Sequence, residues 1–291
     1  MNEFTIRDLE NLSGIKAHTI RVWEQRYNLF QPKRSSTNIR YYNSEDLRVI
    51  LNISLLTRFG YRISQINKMP RSEISDKVLS LSTPEAYQEK MLNDLVLAMI
   101  SLDAYSFEDR IDKYLLSKGP EQAIKKLIFS FLERIGLLWM TSHINAAQEH
   151  LVTQVIRQKL LAAIDKTPPQ KGPSNPVLMF LPEGEQHELG LIFVHYILRT
   201  QGTPILYLGS NLPMADLAFA VQTTDPSRIY AHITWLPGRK DMNAFITEFQ
   251  RLLPDKQLYL SGTISGYSTR KLPENFVYLK DLNQVIEALT L

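Results

Sequence analysis

Three groups of residues in this 291-residue chain have the types and spacing to do chemistry. The first is Glu185-x-His187-x-x-Gly190. Imidazole is the commonest metal ligand among side chains. A carboxylate two residues earlier can bond its far ring nitrogen, fixing the tautomer and raising ligand basicity. Gly190, without a Cβ, would let a bulky group approach the backbone closely. The second group is Trp139, nine residues, then Glu149-His150: an aromatic plane followed by an acid–imidazole pair. The third lies in the first seventy residues, where Thr19, Arg21, Tyr27, Lys33, Arg34, Arg40 and Tyr41 interleave cations with hydroxyls and aromatics, a composition suited to a nucleic acid backbone.

The elements that must position the third group are short. Thr5 is a good cap for a helix from Ile6, with Asp8 helping its first amides, and Ser13-Gly14 breaks the run. A second helix, near Ala17 to Tyr27, keeps Ile20, Trp23 and Tyr27 on one stripe and Thr19, Arg21 and Arg26 off it, with Pro32 expected to stop it. Lys33-Arg34 and Ile39-Arg40-Tyr41-Tyr42 flank a polar tip, a pattern for a two-stranded ribbon. Ser44 is expected to cap a longer helix running to Phe59, Gly60 to end it, and a short helix from about Arg62 to reach Pro70. Trp23 and Tyr41 read as packing residues of the module, and His18 as a surface residue.

The second group belongs to residues 72–166, an all-helical stretch expected to form a bundle of four or five helices. Trp139 ends one apolar helix, and Asn145 with Gln148 makes a capping-box start for the next, so Trp139 and Glu149-His150 are expected at one end of the bundle. Residues 167–176 contain four prolines in ten and read as a linker.

The first group sits in residues 177–291, where strand signals (177–181, 205–208, 229–233, 258–261, 276–279) alternate with helix-length segments. Such alternation predicts a parallel sheet covered on both faces, in flavodoxin-like order, with ligands beyond the carboxyl ends of the strands. His187 follows the first of them. His195, Trp235, Tyr259 and Tyr267 read as packing or interface residues.

Composition narrows the function classes. The net charge is only +3, yet residues 1–70 hold eleven basic and six acidic side chains, a net +5, while the remainder nets −2. A polyanionic partner therefore suits the N-terminal quarter alone. No cysteine is present, which excludes disulfides, Cys–zinc sites, iron–sulfur clusters and thiol nucleophiles, and suits a cytoplasmic protein. No apolar run approaches the roughly 18 residues of a membrane span, so no membrane partner is expected; the first residues are too charged for a signal peptide.

Phe4-Thr-Ile, Ser13-Gly14-Ile15, Thr19 to Tyr27 and Asn38 to Tyr42 resemble the MerR superfamily of transcriptional regulators, which implies a winged helix-turn-helix with a double-stranded DNA operator as partner. The Glu185-x-His187-x-x-Gly190 pattern resembles a cobalamin-binding signature, which implies that His187 ligates cobalt from below. Ser261-Gly262 resembles the small-residue segment that lines the slot for the displaced nucleotide tail. His232-Ile233-Thr234 stands where that family often has Ser-x-Leu, so His232 either hydrogen-bonds the tail or obstructs it. Trp139 with Glu149-His150 resembles the cap of light-responsive, adenosylcobalamin-dependent repressors, which implies contact with the upper face and the adenosyl group. Those proteins often place a histidine directly after the Trp; this chain has Met140, with His143 three residues further on.

The resemblance implies a multidomain chain: a MerR-like winged helix-turn-helix (1–70), a helical cap (72–166), a Pro-rich linker (167–176) and a flavodoxin-like α/β cobalamin-binding domain (177–291). It implies a non-enzymatic, cobalamin-sensing regulator, with adenosylcobalamin as cofactor and a homo-oligomer, dimer or tetramer, as the responding assembly. Two alternatives stay open: a regulator of the same lineage with a degenerate cobalamin domain controlled by a protein partner, and a cobalamin-carrier subunit of an enzyme.

Overall fold

The computed structural model describes residues 4–35, 38–140, 144–168, 175–234, 242–262 and 272–290, with the backbone alone for 137–140. The chain divides into two compact units, Met1–Val155 and Ile156–Leu291, each described by itself.

The first unit opens with α1 (Ile6–Ser13) and α2 (Ala17–Tyr27). Thr5 and Asp8 form a reciprocal capping box, and Gly14 closes α1 at φ 73°, a left-handed position that costs a glycine nothing. Lys16 gives α2 no side-chain cap. Its first free amide, Ala17 N–H, instead donates to Glu10 Oε2 at 3.2 Å. The helix ends at Tyr27 as expected, on a left-handed Asn28 whose amide satisfies the Glu24 carbonyl, so the stop comes before Pro32 is reached.

β1 (Lys33–Arg34) and β2 (Arg40–Tyr41) pair antiparallel as the expected ribbon. α3 (Ser44–Arg58) is capped by Asn43 rather than Ser44. The Asn43 side chain accepts from the Glu45 and Asp46 amides while Asp46 returns a bond to the Asn43 amide, a two-way box that Ser44 could not make from inside the helix. α4 (Ile63–Ile66) and α5 (Arg71–Leu79) follow.

The helical stretch consists of α6 (Pro84–Ile100), α7 (Ala104–Gln122, kinked where Gly119 reaches φ 80°), a π-helical turn at Ala123–Ile128, α8 (Phe129–Met140) and α9 (Ala146–Asp165). α9 begins as expected: the Asn145 amide donates to Gln148 Oε1 at 3.1 Å and the Gln148 amide to Asn145 Oδ1 at 3.0 Å. Gln148 is buried and also donates to the Ile100 carbonyl at 3.0 Å, fastening the start of α9 to the end of α6.

The second unit is a parallel five-stranded sheet built from β3 (Val177–Pro182), β4 (Ile205–Leu212), β5 (Arg228–His232), β6 (Leu258–Ser261) and β7 (Phe276–Tyr278), in the order β4-β3-β5-β6-β7. That is the expected flavodoxin-like order. β3 is buried on both faces. Leu178 and Phe180 join one core with α11 (Met214–Thr224) and α12 (Met242–Leu252). Val177, Met179 and Leu181 join the other with α10 (Leu189–Thr200) and α13 (Leu282–Leu289). Two-sided burial explains why its sequence is a continuous apolar run rather than an alternating one. Among the described residues no helix is long and apolar enough to cross a membrane.

Candidate cobalamin and DNA sites

Strand order reverses beside β3, so the carboxyl ends of β3 and β5 diverge into the crevice where open α/β sheets bind ligands. Glu185, just after β3, is fully buried in that crevice. Its Oε1 accepts from the His187 amide at 2.8 Å and meets His187 Nδ1 at 2.7 Å. Its Oε2 accepts from the Thr234 amide at 2.9 Å and the Thr234 hydroxyl at 3.1 Å. One carboxylate thus ties the loop after β3 to the end of β5. A carboxylate only accepts, so Nδ1 is the donor, which in the neutral ring puts the lone pair on Nε2; the side chain is 56% exposed. A single imidazole suits a metal whose other ligands already lie in a macrocycle, and this donor set fits cobalamin.

Beside that pair the structure departs from open space. Gly190 does create a notch, but the group that enters it is the protein's own: a Cβ on Gly190 would lie 2.3 Å from the His232 ring. His232 Nδ1 meets Ser261 Oγ at 2.8 Å, and Ser261 Oγ meets the buried Tyr230 hydroxyl at 2.6 Å. Burial pulls the His232 imidazole down to about 4, so it is neutral at ordinary pH. Gly262 is needed for another reason. It sits at φ 97°, and a Cβ there would lie 2.3 Å from the Ile233 carbonyl oxygen.

The sequence did not single out Glu188, Tyr207 and Arg157. The Tyr207 hydroxyl donates to Glu188 Oε1 at 2.9 Å and Arg157 Nε to Glu188 Oε2 at 3.1 Å, bracing the start of α10 right after His187. His195 is a packing residue as read: it stacks on Tyr207 with ring centroids 4.8 Å apart. Burial, then the nearby Arg199, hold its imidazole down at about 4. Tyr259 packs against the same core.

In the other unit, Glu149 and the exposed His150 form a pair at 2.9 Å, Oε2 to Nδ1, in the first turns of α9. Trp139 and Met140 lie in α8; their side chains, and all of His143, Trp235 and Tyr267, lie outside the described residues.

The residues expected to face DNA are built on α2 and the ribbon. Ile20 is fully buried and anchors α2, leaving His18, Arg21 and Arg26 exposed and Thr19, Trp23 and Tyr27 half-buried. Lys33 and Arg34 are exposed on β1, and Arg34 Nη1 donates to Asn38 Oδ1 at 2.6 Å. Glu24 of α2 links helix to ribbon: it accepts from the buried Tyr42 hydroxyl at 2.5 Å and pairs with Arg40 Nε at 3.3 Å. Arg40 and its neighbour Tyr41 are half-buried. Tyr42, not Tyr41, is the ribbon's buried anchor, bridging to Phe4 and meeting the Phe30 ring edge-on.

This fold places a helix-turn-helix module of MerR type ahead of a helical B12-binding domain, followed by a parallel five-stranded sheet. Residues 4–73 match the family model described as "MerR HTH family regulatory protein", and residues 91–163 the one described as "B12 binding domain". The chain is 28% identical over 261 residues to the HTH-type transcriptional repressor CarH of Myxococcus xanthus, covering 86% of this chain and 85% of that protein. It is 26% identical over 224 residues to the HTH-type transcriptional repressor CarA of the same organism, covering 76% and 73%. In fold it is similar to the monomethylamine corrinoid protein of Methanosarcina barkeri, with a TM-score of 0.54 at 13% identity over 69% of this chain and 97% of that one.

Proposed function

We propose that the chain is a cobalamin-sensing transcriptional repressor whose oligomeric state, and through it DNA affinity, depends on bound adenosylcobalamin and on light. The observation that carries this reading is the Glu185–His187 pair at the reversal point of the sheet, on the same chain as a MerR-type module; similarity to two named repressors supports it. When bound, adenosylcobalamin supplies a cobalt ion that accepts an imidazole and a light-labile cobalt–carbon bond. His187 would supply the imidazole that holds the cobalt. Glu185 and Thr234 hold its tautomer and aim, and Gly190, His232, Ser261 and Gly262 form the neighbouring wall. Trp139, Glu149 and His150 would contact the adenosyl group, with Met140 where the resembled repressors often have a histidine and His143 three residues further along the sequence. Arg21 and Thr19 face bases or flank them on the exposed side of α2, with Tyr27 at its end. Lys33, Arg34 and Arg40, steadied by Tyr41, contact phosphates; since Arg40 is shared with Glu24, the exposed cations carry the larger part. The cofactor can act only through a difference in affinity between assemblies.

One observation favours a second reading. His232 fills the Gly190 notch, as expected if the sheet domain had given up the nucleotide tail and the module answered to a protein partner. The experiment that separates the two is gel filtration of protein prepared with adenosylcobalamin in the dark. The first reading predicts co-eluting colour, its loss in His187→Ala, and later elution after illumination. Colourless protein contradicts it and leaves the partner-controlled regulator.

A further inference from the structure

The last carbonyls of α1, like those of any helix, have no partners within the helix. Here they form the turn that sets the angle of α2, and two other helices supply the donors. Ser54 Oγ of α3 donates to the Ser13 carbonyl at 2.6 Å. Arg134 Nη2 of α8 donates to the Leu12 carbonyl at 2.6 Å, across 122 residues of chain. Leu12 and Ser13 are buried, so water cannot easily replace either donor. The Arg134 side chain is itself largely buried, at 18% exposure, and its Nη1 lies 3.6 Å from Glu89 of α6. The other Glu89 oxygen is 3.1 Å from Arg58 Nη1 of α3. Arg58 Nη2 in turn stands 3.6 Å from where a Cβ on Gly14 would be. Two guanidiniums and one carboxylate, from α3, α6 and α8, therefore close around the turn.

A buried guanidinium is a poor way to gain stability, since an apolar side chain of similar volume packs as well. A charged, planar donor does fix one geometry. We propose that Arg134, outside the DNA-binding module, is a positioning residue for DNA recognition: it pins the helix-turn-helix turn to α8, so that a shift of α8 changes how α2 is presented. α8 also carries Trp139 five residues later, so if the cobalamin reading above holds, cap occupancy and DNA affinity meet on this one helix.

The test uses the full chain and a duplex that the wild type has selected from a random-sequence pool. Arg134→Met is compared with Arg134→Lys, which keeps one donor, and with Arg110→Met, which removes the Asp94 pair elsewhere on the bundle. The expected result for Arg134→Met is an approximately tenfold fall in the affinity ratio of selected to unselected duplex, with approximately tenfold faster amide exchange in residues 13–17 and unchanged exchange in α6 and α7. Arg134→Lys restores the ratio to within about threefold, and Arg110→Met alters neither quantity. An unchanged ratio with unchanged turn exchange overturns the proposal, and so does faster exchange spread evenly over turn and bundle. Should Arg134→Met fail to fold, Arg134→Lys with Glu89→Gln carries the exchange comparison. A wild type that selects no duplex defeats the DNA-binding reading instead, and exchange at the turn still decides whether the clamp exists.

Discussion

Replacing Glu185 by Gln changes almost no volume but turns one acceptor oxygen into a donor. From His187 and Thr234 the carboxylate receives four hydrogen bonds, two on each oxygen. If the new NH2 faces Thr234, the Thr234 amide loses its acceptor. If it faces His187, the His187 amide loses its acceptor and Nδ1 must accept, which moves the ring proton to Nε2. Either way one backbone N–H loses this acceptor, at about 1–3 kcal/mol, and the charge-assisted bonds weaken. The expected loss of stability is about 2–4 kcal/mol by urea unfolding. The sharper readout is the His187 tautomer, followed by long-range ¹⁵N–¹H correlation: Nδ1–H in the wild type, and a mixed or Nε2–H ring in Glu185→Gln. Corrinoid affinity should fall by about 10–100-fold, as for other partners of a ligating histidine. A variant that keeps Nδ1–H, loses under about 0.5 kcal/mol and binds as before would refute the reasoning.

Gly190→Ala should destabilise the sheet domain by about 1–3 kcal/mol, because its Cβ must displace the His232 ring; adding His232→Ser should recover most of that loss, and additive losses in the double variant would contradict the overlap. His195, held at about 4 when folded against about 6.5 unfolded, lowers stability as pH falls: the contribution is full above pH 6.5 and is lost towards pH 4, on the order of 2 kcal/mol once screening is allowed for. His195→Phe should flatten that part of a stability–pH curve, and an unaltered curve would show that other groups control it. For DNA, if a dimer makes about eight phosphate contacts, the slope of log K against log salt should lie near −7. Lys33→Ala should make it shallower by about two, one contact per subunit, with all sequences weakened alike; an unchanged slope would remove Lys33 from the interface.

The sheet domain was legible because two-sided burial writes itself as apolar strands at regular spacing; among the described residues four strands and the starts of four helices fell within a residue or two of the reading, while β4 runs four residues beyond its expected end, to Leu212. Local capping was legible too where the sequence offers one clear cap residue, as at Thr5 and Asn145. Asn43 was missed in favour of Ser44 because both are good caps and only the return bond from Asp46 selects between them. At the site, Glu185 and His187 could be paired from spacing alone, because two residues apart in a loop is enough. The Thr234 bonds to the same carboxylate come from 49 residues away, and the Glu188–Tyr207 bond spans a strand and a helix. The sequence offered His232 as a helper or an obstacle; only the three-dimensional approach of β5 to α10 reveals that Gly190 is small because His232 is there. Arg134 gave no signal at all, since an arginine in an amphipathic helix reads as a solvated charge.

The central claim, that cobalamin bound through His187 governs the hold of the MerR-type module on DNA, is tested most directly by one titration. Fluorescence anisotropy of a wild-type-selected duplex with the full chain, in the dark, with and without adenosylcobalamin, should give affinities that differ by at least tenfold, and the difference should vanish in His187→Ala while DNA binding without cofactor is unchanged. Equal affinities with and without adenosylcobalamin, or a difference that survives in His187→Ala, would contradict the claim.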